Sequence, residues 1–217
     1  MNLWIALEHL IRSGVRHKSI IEPMADFLPK TLALNHVHRL GRDVVENVRR
    51  LNIRLPFEII PPFRNRNVPD LIELCRNEAR LATLLNAVNQ NPLLDFRLRQ
   101  FSDIVTDPKR IKAAIDKNYR DINHHLARIY RIRNRIVHSA AHDLRIWGIT
   151  ANLNYYVRTV LNILLYELST YDCFPDLWSV YIKYQTAYDQ YLSSLDKANT
   201  TAFQSTVVDN PLRLLWP

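Results

Sequence analysis

Arg133, Asn134 and His138 supply the kinds of side chain that chemistry on a phosphate ester needs. The planar guanidinium of an arginine keeps its charge and donates to two phosphate oxygens at once. A histidine takes up and releases a proton near neutral pH, so His138 can serve as a general acid or base. The Asn134 amide can orient the phosphate or the imidazole by hydrogen bonding. These residue types, at this spacing, indicate a candidate site for phosphodiester chemistry.

Positive charge is concentrated in the same part of the chain. The 217 residues carry a formal net charge of +8, which favours an anionic partner. Between Lys109 and Arg135 there are nine lysines and arginines but two acids, Asp116 and Asp121. A solvated, arginine-rich helix face explains the same pattern, and from periodicity and charge alone this interpretation stays open.

Helices must position these residues, because the apolar periodicity is helical almost throughout and proline supplies most of the breaks. Four prolines in 53–69 forbid a regular helix there, so an irregular linker is expected. Pro29 suits the first turn of a helix, and Asp107 before Pro108 suits an N-cap. The predicted helices cover 2–13, 20–28, 29–52, 70–88, 92–104, 108–141, 150–171 and 175–195, with a short turn at 211–216.

The expected fold is therefore all-α, a helical bundle with two long central helices. A single domain is expected over 1–200, with 201–217 as a loose tail. The chain has only three glycines, which argues against glycine-rich phosphate loops. No apolar run approaches the roughly 18–20 residues that span a bilayer, and the start has no secretion-signal pattern. Two distant cysteines, Cys75 and Cys173, favour a reducing, cytoplasmic location.

Arg133 lies on the apolar side of the predicted helix over 108–141. At about 100° per residue, that side consists of Ile122, Leu126, Ile129, Ile132, Ile136 and Ala140. A guanidinium there costs several kcal/mol unless it meets an acid, a polar cleft or a second chain. His138 lies about 140° around the helix from Arg133. The two therefore serve one site only if Arg133 reaches around, the helix deforms, or a symmetry mate completes the pocket.

The stretch Arg133-Asn-Arg-Ile-Val-His138 resembles the Arg-Asn-x-x-x-His signature of HEPN ribonucleases, which are all-α proteins. The longer stretch from Tyr130 to Ser139 is similar to ApeA-like HEPN domains of bacterial defence proteins. Leu3-Trp-Ile-Ala-Leu-Glu-His-Leu10 resembles their first helix, which supplies an acid, and Glu8 stands at that place here. The resemblance covers most of residues 1–171, and it implies a HEPN-like bundle.

The resemblance also implies a metal-independent endoribonuclease without a cofactor. In that family the ribose 2′-hydroxyl attacks the adjacent phosphate and leaves a 2′,3′-cyclic phosphate and a 5′-hydroxyl end. Carried over, His138 would transfer the proton, Arg133 would stabilise the phosphorane, and Asn134 would orient the reacting groups. Glu8 would hold Arg133 by an ion pair between the first helix and the motif helix, although a solvated acid is the alternative.

The partners follow from the same resemblance. Two copies would build the site across a two-fold axis, as a homodimer packed through the motif helix. RNA is the expected substrate, with tRNA as one candidate, in the role of a defence or toxin effector. An N-terminal sensor domain or an antitoxin is a further candidate partner, and no membrane is expected. A cationic groove would hold the RNA backbone without sequence preference, lined by Arg131, Arg135, Arg128 and Lys117.

Other interpretations of the same residues stay open. A catalytically inactive HEPN-like module for binding or dimerisation would share the fold. Zinc binding by His138 and His142, one turn apart, has no Glu or Cys ligand at a matching place nearby. Three tyrosines can stack on unpaired bases, but at such spacings tyrosines are more often core residues; they are Tyr130, Tyr155 and Tyr156.

Overall fold

The computed structural model describes residues 2–12, 21–60, 63, 67–139, 146–170 and 176–198. In these ranges the regular secondary structure is α-helical and no strand occurs, so the predicted all-α fold is confirmed. None of the described helices is both long and apolar enough to cross a membrane. The helices are α1 (Asn2–Arg12), α2 (Ile21–Leu34), α3 (His36–Arg50), α4 (Val68–Cys75), α5 (Glu78–Val88), α6 (Pro92–Val105), α7 (Pro108–Ser139), α8 (Ile146–Thr170) and α9 (Leu177–Lys197).

The described residues group into two compact units. The first unit contains α1, α2 up to Ala33, α7 from Lys117 onward, α8, and α9 up to Gln190. The second unit contains α3 to α6 with Leu34 before them, α7 up to Asp116, and α9 from Tyr191 onward. The single domain expected over 1–200 stays a prediction. The tail expected at 201–217, with its turn at 211–216, lies outside the described residues.

The interior of the first unit is built from amphipathic helices. α1 packs against α8, and on α1 the residues Trp4, Leu7 and Ile11 recur every three or four positions and are at most 2% exposed. Burying one such side chain stabilises the fold by about 1.5–3 kcal/mol. On α7 the apolar side is buried at Ile122, Leu126 and Ile129 and half-buried at Ile132 and Ile136; Ala140 lies outside the described residues.

One carboxylate in this interior is buried, and it is paired. Glu167 on α8 is 1% exposed, and both of its oxygens accept a hydrogen bond from Lys183 Nζ at 2.8 Å. The Tyr184 hydroxyl donates to Glu167 Oε1 at 2.9 Å. These bonds join α8 to α9 and satisfy a charge that would be costly to bury alone.

In the second unit, Gly41 permits a close approach of α3 to its neighbours. α3 packs against α4 and α6, and a Cβ atom at Gly41 would lie 2.7 Å from Val68 Cγ1 and 2.9 Å from two ring atoms of Phe101. Both distances are shorter than carbon atoms tolerate without displacement. A residue without a side chain therefore sets the spacing at this crossing.

Asn52 ends α3 in a left-handed conformation, with φ 49°. Asparagine tolerates this region better than most residues because its short amide forms local hydrogen bonds. The Asn52 and Ile53 backbone N–H groups donate to the Arg49 and Val48 carbonyls, which is the two-bond closure of a Schellman motif.

The prediction that one helix ends before Pro29 and another begins there is wrong. Pro29 lies inside α2, and the chain breaks instead at Asn35, between α2 and α3. An internal proline removes one helical hydrogen bond and is costly. The packing of Phe27, Leu28 and Leu32, each at most 4% exposed, holds the helix together on both sides of it.

Two further boundaries differ from expectation and one is confirmed. The helix expected over 70–88 is divided, because the Asn77 side chain accepts from Arg80 N at 3.1 Å and caps α5. α8 starts before position 150 and includes Gly148, where an added Cβ would meet nothing within 4 Å. The predicted N-cap at Asp107 is present, since its Oδ1 accepts from Lys109 N at 2.9 Å.

Candidate active site

The first helix supplies an acid whose direction is set by a tryptophan. Trp4 and Glu8 lie one turn apart on α1, and the Trp4 indole N–H donates to Glu8 Oε1 at 2.5 Å. Trp4 is 2% exposed, and its ring centroid lies 6.2 Å from that of Tyr130 on α7. Because the indole is held in the interior, its N–H orients the carboxylate toward α7.

Arg133 reaches this acid from the apolar side of α7. Its Nη2 atom lies 3.9 Å from Glu8 Oε2, and its Nη1 atom donates to Asn134 Oδ1 at 3.0 Å. The Arg133 side chain is 29% exposed and the Glu8 side chain 12%, so neither charge is fully removed from water. The cost of an arginine among isoleucines is thus reduced by one acid and one amide.

This arrangement leaves Arg133 able to bind a phosphate. A guanidinium carries five N–H donors in one plane, and only one of them is used by Asn134. The Glu8 carboxylate, however, balances the Arg133 charge at 3.9 Å. Arg133 would therefore share the stabilisation of a phosphorane's extra negative charge with other cations near the reacting phosphate.

His138 lies one turn beyond Asn134 on α7, and no described contact joins it to Glu8, Arg133 or Asn134. It is exposed in the last described turn of α7 and makes no hydrogen bond to another described residue. Five residues of regular helix separate it from Arg133, which is about 140° of rotation. Within one copy, the described contacts join Glu8, Arg133 and Asn134, and none of them reaches His138.

The four residues expected to line a cationic groove lie on the exposed side of α7. Of these, Arg131 donates from Nε to the Ala127 carbonyl oxygen at 3.2 Å, which holds its side chain along its own helix. The groove itself stays a prediction. The four exposed residues are Lys117, Arg128, Arg131 and Arg135.

No family model matches the chain, no curated protein matches its sequence, and no solved structure matches its fold. The resemblance to HEPN ribonucleases therefore stays a prediction based on the Arg133–His138 and Leu3–Leu10 stretches.

His125 forms a hydrogen-bonded cluster that the sequence did not predict. It lies on α7 between two residues of α8: Asn152 Nδ2 donates to His125 Nε2 at 3.3 Å, and the Tyr156 hydroxyl lies 2.9 Å from His125 Nδ1. Since Nε2 accepts, Nδ1 carries the proton and donates to the Tyr156 oxygen, which describes a neutral imidazole. Partial burial and then the positive charge of Arg128 lower the pKa of His125.

The tyrosines considered for base stacking are packed inside the first unit. Tyr156 is 6% exposed and engages His125, so its ring is a core residue. Tyr155 is half-buried with its ring centroid 5.9 Å from that of Tyr156. Tyr130 is half-buried against Trp4.

Metal ligands and thiols contribute little to the site. Among the described residues, no three His, Cys, Asp or Glu side chains lie close enough to hold a metal ion; His142 lies outside these residues. Cys75 is buried, and burial raises the pKa of its thiol to about 12 despite a hydrogen bond with Ser102. A thiol in this state is a poor nucleophile.

Proposed function

We propose that this chain is a metal-independent endoribonuclease with a HEPN-like site. The observation that supports it best is the arrangement of Arg133 on α7, directed by Glu8 and Asn134 while keeping donors for a phosphate. An arginine in the apolar stripe of a helix is costly, and the three residues involved are those that the sequence resemblance assigns to the site.

The reaction needs the protein to remove a proton and to stabilise a developing negative charge. His138 withdraws the proton of a ribose 2′-hydroxyl, whose oxygen then forms a bond to the adjacent phosphorus. Arg133 stabilises the negative charge that develops on the phosphorane oxygens. The bond to the 5′-oxygen of the next nucleotide breaks as that oxygen gains a proton, which leaves a 2′,3′-cyclic phosphate and a 5′-hydroxyl.

A second copy of the chain resolves the separation of Arg133 from His138. Within one copy the two side chains leave α7 about 140° apart, so the imidazole of one protomer would serve the guanidinium of its partner. Two large apolar side chains stand exposed on the helices involved: Ile5 on α1 at 40% and Val137 on α7 at 48%. They offer apolar area for a homodimer packed through α7.

The biological setting is proposed from the resemblance alone. The protein would act in the cytoplasm as a defence or toxin effector on RNA, with tRNA as one candidate. An antitoxin or an N-terminal sensor domain would control its activity.

A complementation assay tests both the chemistry and the shared site. We expect Arg133→Ala and His138→Ala each to abolish cleavage of total RNA, and EDTA to leave wild-type cleavage unchanged. If each pocket takes Arg133 from one protomer and His138 from the other, a heterodimer of the two variants keeps one intact pocket. An equal mixture should then recover about a quarter of wild-type activity.

Three results of this assay would contradict the proposal. No recovery after subunit exchange, with exchange verified by differently tagged protomers, rules out a pocket shared between copies. Equal cleavage by the wild type and both single variants rules out the enzyme itself. Mapping the ends adds a chemical check, because a 3′-hydroxyl at the cut would exclude attack by the 2′-oxygen.

A catalytically inactive binding module is the second candidate. The charge of Arg133 is already balanced by Glu8, and His138 has no described partner. Both facts are consistent with residues that stabilise the packing of α1 against α7 and have no catalytic role. The same assay separates the two candidates, since an inactive module leaves RNA intact at every protein concentration.

A further inference from the structure

Seven side chains form a straight row on the solvent side of α7, and we call this row the basic ridge. Successive members are three or four residues apart, so at 100° per residue they fall within a sector of about 80°. The row runs from the first to the last of 22 residues, and these 21 steps of 1.5 Å make it about 32 Å long. Every member is exposed; the members are Lys117, Arg120, His124, Arg128, Arg131, Arg135 and His138.

The ridge faces solvent, because the opposite side of α7 does the packing. Ile122, Leu126 and Ile129, which are at most 7% exposed, point into the first unit. The whole ridge belongs to that unit, which takes in α7 from Lys117 onward. The ridge is therefore one continuous surface within a single compact body.

Three of the ridge cations form no ion pair among the described residues, although acids stand one turn away from two of them. Two exposed helical arginines elsewhere in the chain do pair with an acid one turn away, Arg50 with Glu46 and Arg99 with Asp95. On the ridge, Lys117, Arg120 and Arg128 make no ion pair with a carboxylate of the described residues. Asp116, one turn from Arg120, and Asp121, one turn from Lys117, form no ion pair with these cations either.

The row carries a cost that a bound anion would remove. Like charges one turn apart destabilise a helix, and Arg128 with Arg131 is such a pair. A linear polyanion along the ridge would neutralise several of these charges together and release its own counterions. The shape and charge of the ridge therefore match a chain of phosphates better than a single compact anion.

We infer that the basic ridge binds the backbone of single-stranded RNA along its whole length, ending at His138. Its members are spaced about 4.5–6 Å apart along the axis, close to the separation of successive phosphates in an extended strand. A duplex fits less well, because side chains cannot enter the narrow major groove of A-form RNA. An anionic membrane fits less well too, because no large apolar side chain stands in the row to enter the lipid.

This inference rests on the proposed nuclease and specifies its substrate. A ridge of about 32 Å accommodates about six nucleotides of unpaired RNA on one side of the phosphate cut near His138. It adds Arg120, and the imidazole of His124 as a hydrogen-bonding group, to the four cations expected from the sequence. Backbone contacts carry no base preference, so the length of unpaired strand, and not its sequence, would govern affinity.

The ridge can be tested without cleavage by using a strand that lacks the 2′-hydroxyl. Fluorescence anisotropy with oligodeoxythymidylate measures binding alone, since this probe cannot undergo attack by a 2′-oxygen. We expect the double variant Arg120→Glu/Arg128→Glu to weaken binding at least about tenfold. The matched control is Arg54→Glu/Arg80→Glu, two exposed arginines of the second unit. Both pairs remove four units from the net charge of +8, so the control should bind nearly as the wild type does.

Strand length and salt give a second pair of readouts. Strands of about 12 nucleotides should bind much more tightly than strands of about 4, because only the longer ones cover the ridge. With Arg120→Ala/Arg128→Ala, whose alanines preserve the helix, the slope of log affinity against log salt should fall by about 1.4 for the two lost phosphate contacts. This alanine pair replaces the glutamate pair should the latter unfold.

Several results would overturn the ridge. Equal loss of binding in both glutamate pairs would mean that binding depends only on net charge. Unchanged binding in the ridge pair would mean that the ridge does not bind the strand. Tighter binding to duplex RNA, or to phosphatidylcholine vesicles containing phosphatidylserine, would assign the surface to another partner. The nuclease proposal is judged separately: binding lost with the ridge pair, but no RNA cleaved by the wild type, retains the ridge and rejects the enzyme.

Discussion

At the scale of single residues, the site and its surroundings show two ways of placing a polar side chain on the inner side of α7. Arg133 keeps its charge by reaching Glu8 and Asn134. His125 gives up its charge, because Asn152 and Tyr156 hold a neutral ring. The first arrangement suits anion binding, and the second suits packing.

The neutral state of His125 predicts a pH dependence of stability. Its pKa is lowered in the folded protein, by burial and then by Arg128, so the unfolded chain takes up the proton at higher pH. The stabilisation is therefore complete above the ordinary value of 6.5 and is lost as the pH falls through the folded-state pKa. We expect His125→Gln to flatten the decrease in unfolding free energy between about pH 7.5 and about pH 5. Urea denaturation at several pH values measures it.

His124 is the control for this prediction. It is the neighbouring histidine but is exposed, so His124→Gln should keep the wild-type dependence on pH. The same slope in wild type and His125→Gln would contradict a neutral, buried imidazole.

The sequence predicted part of the site for a physical reason. A charge in the apolar stripe of a helix demands a partner, and Glu8 is the acid of the helix that the resemblance places beside Arg133. No pattern in the sequence predicted the His125–Tyr156 contact, because it joins two helices whose relative register is decided by packing. His138 is the remaining case, since one chain does not show which group it serves.

At the scale of helices, apolar periodicity predicted where helices occur but not every place where they break. The start of α7 followed from Asp107 and proline together. At Pro29 the backbone preference was outweighed by buried neighbours, which act only after the chain has folded. At Asn77 the cap was visible in the sequence but lay within a continuous apolar pattern.

The two described glycines should respond in opposite directions to alanine. Gly41→Ala places a methyl group 2.7 Å from Val68 Cγ1, and overpacking of this kind costs about 1–3 kcal/mol. Gly148→Ala adds a methyl group with nothing within 4 Å and should stabilise the helix by up to about 1 kcal/mol. Urea denaturation of both variants gives the comparison. A Gly41→Ala variant as stable as the wild type would mean that α3 is not held as close to α4 and α6 as the structure has it.

At the scale of the whole molecule, the chain forms two compact units whose boundaries fall inside α7 and α9. The candidate site and the basic ridge both belong to the first unit. The second unit contains the Gly41 crossing and no residue assigned to the site. A substitution that weakens the second unit is therefore expected to act on stability without altering the Glu8–Arg133 contact directly.

The proposed shared pocket predicts a dimer in solution. Sedimentation equilibrium should give a mass near twice 25.6 kDa, with dissociation on dilution accompanied by loss of cleavage. Val137→Lys should weaken the association of two copies, because it places a charge in an apolar contact. A chain that cleaves RNA fully as a monomer would sink the arrangement in which two copies share one pocket.

The basic ridge also affects how the protein should be purified. Protein released from cells at low ionic strength is expected to carry host polynucleotides with it, raising its ultraviolet absorbance at 260 nm relative to 280 nm. Washing the tagged protein with concentrated sodium chloride while it is held on a metal-affinity column should strip them away. Preparations handled without that wash would reach every assay with the surface already occupied.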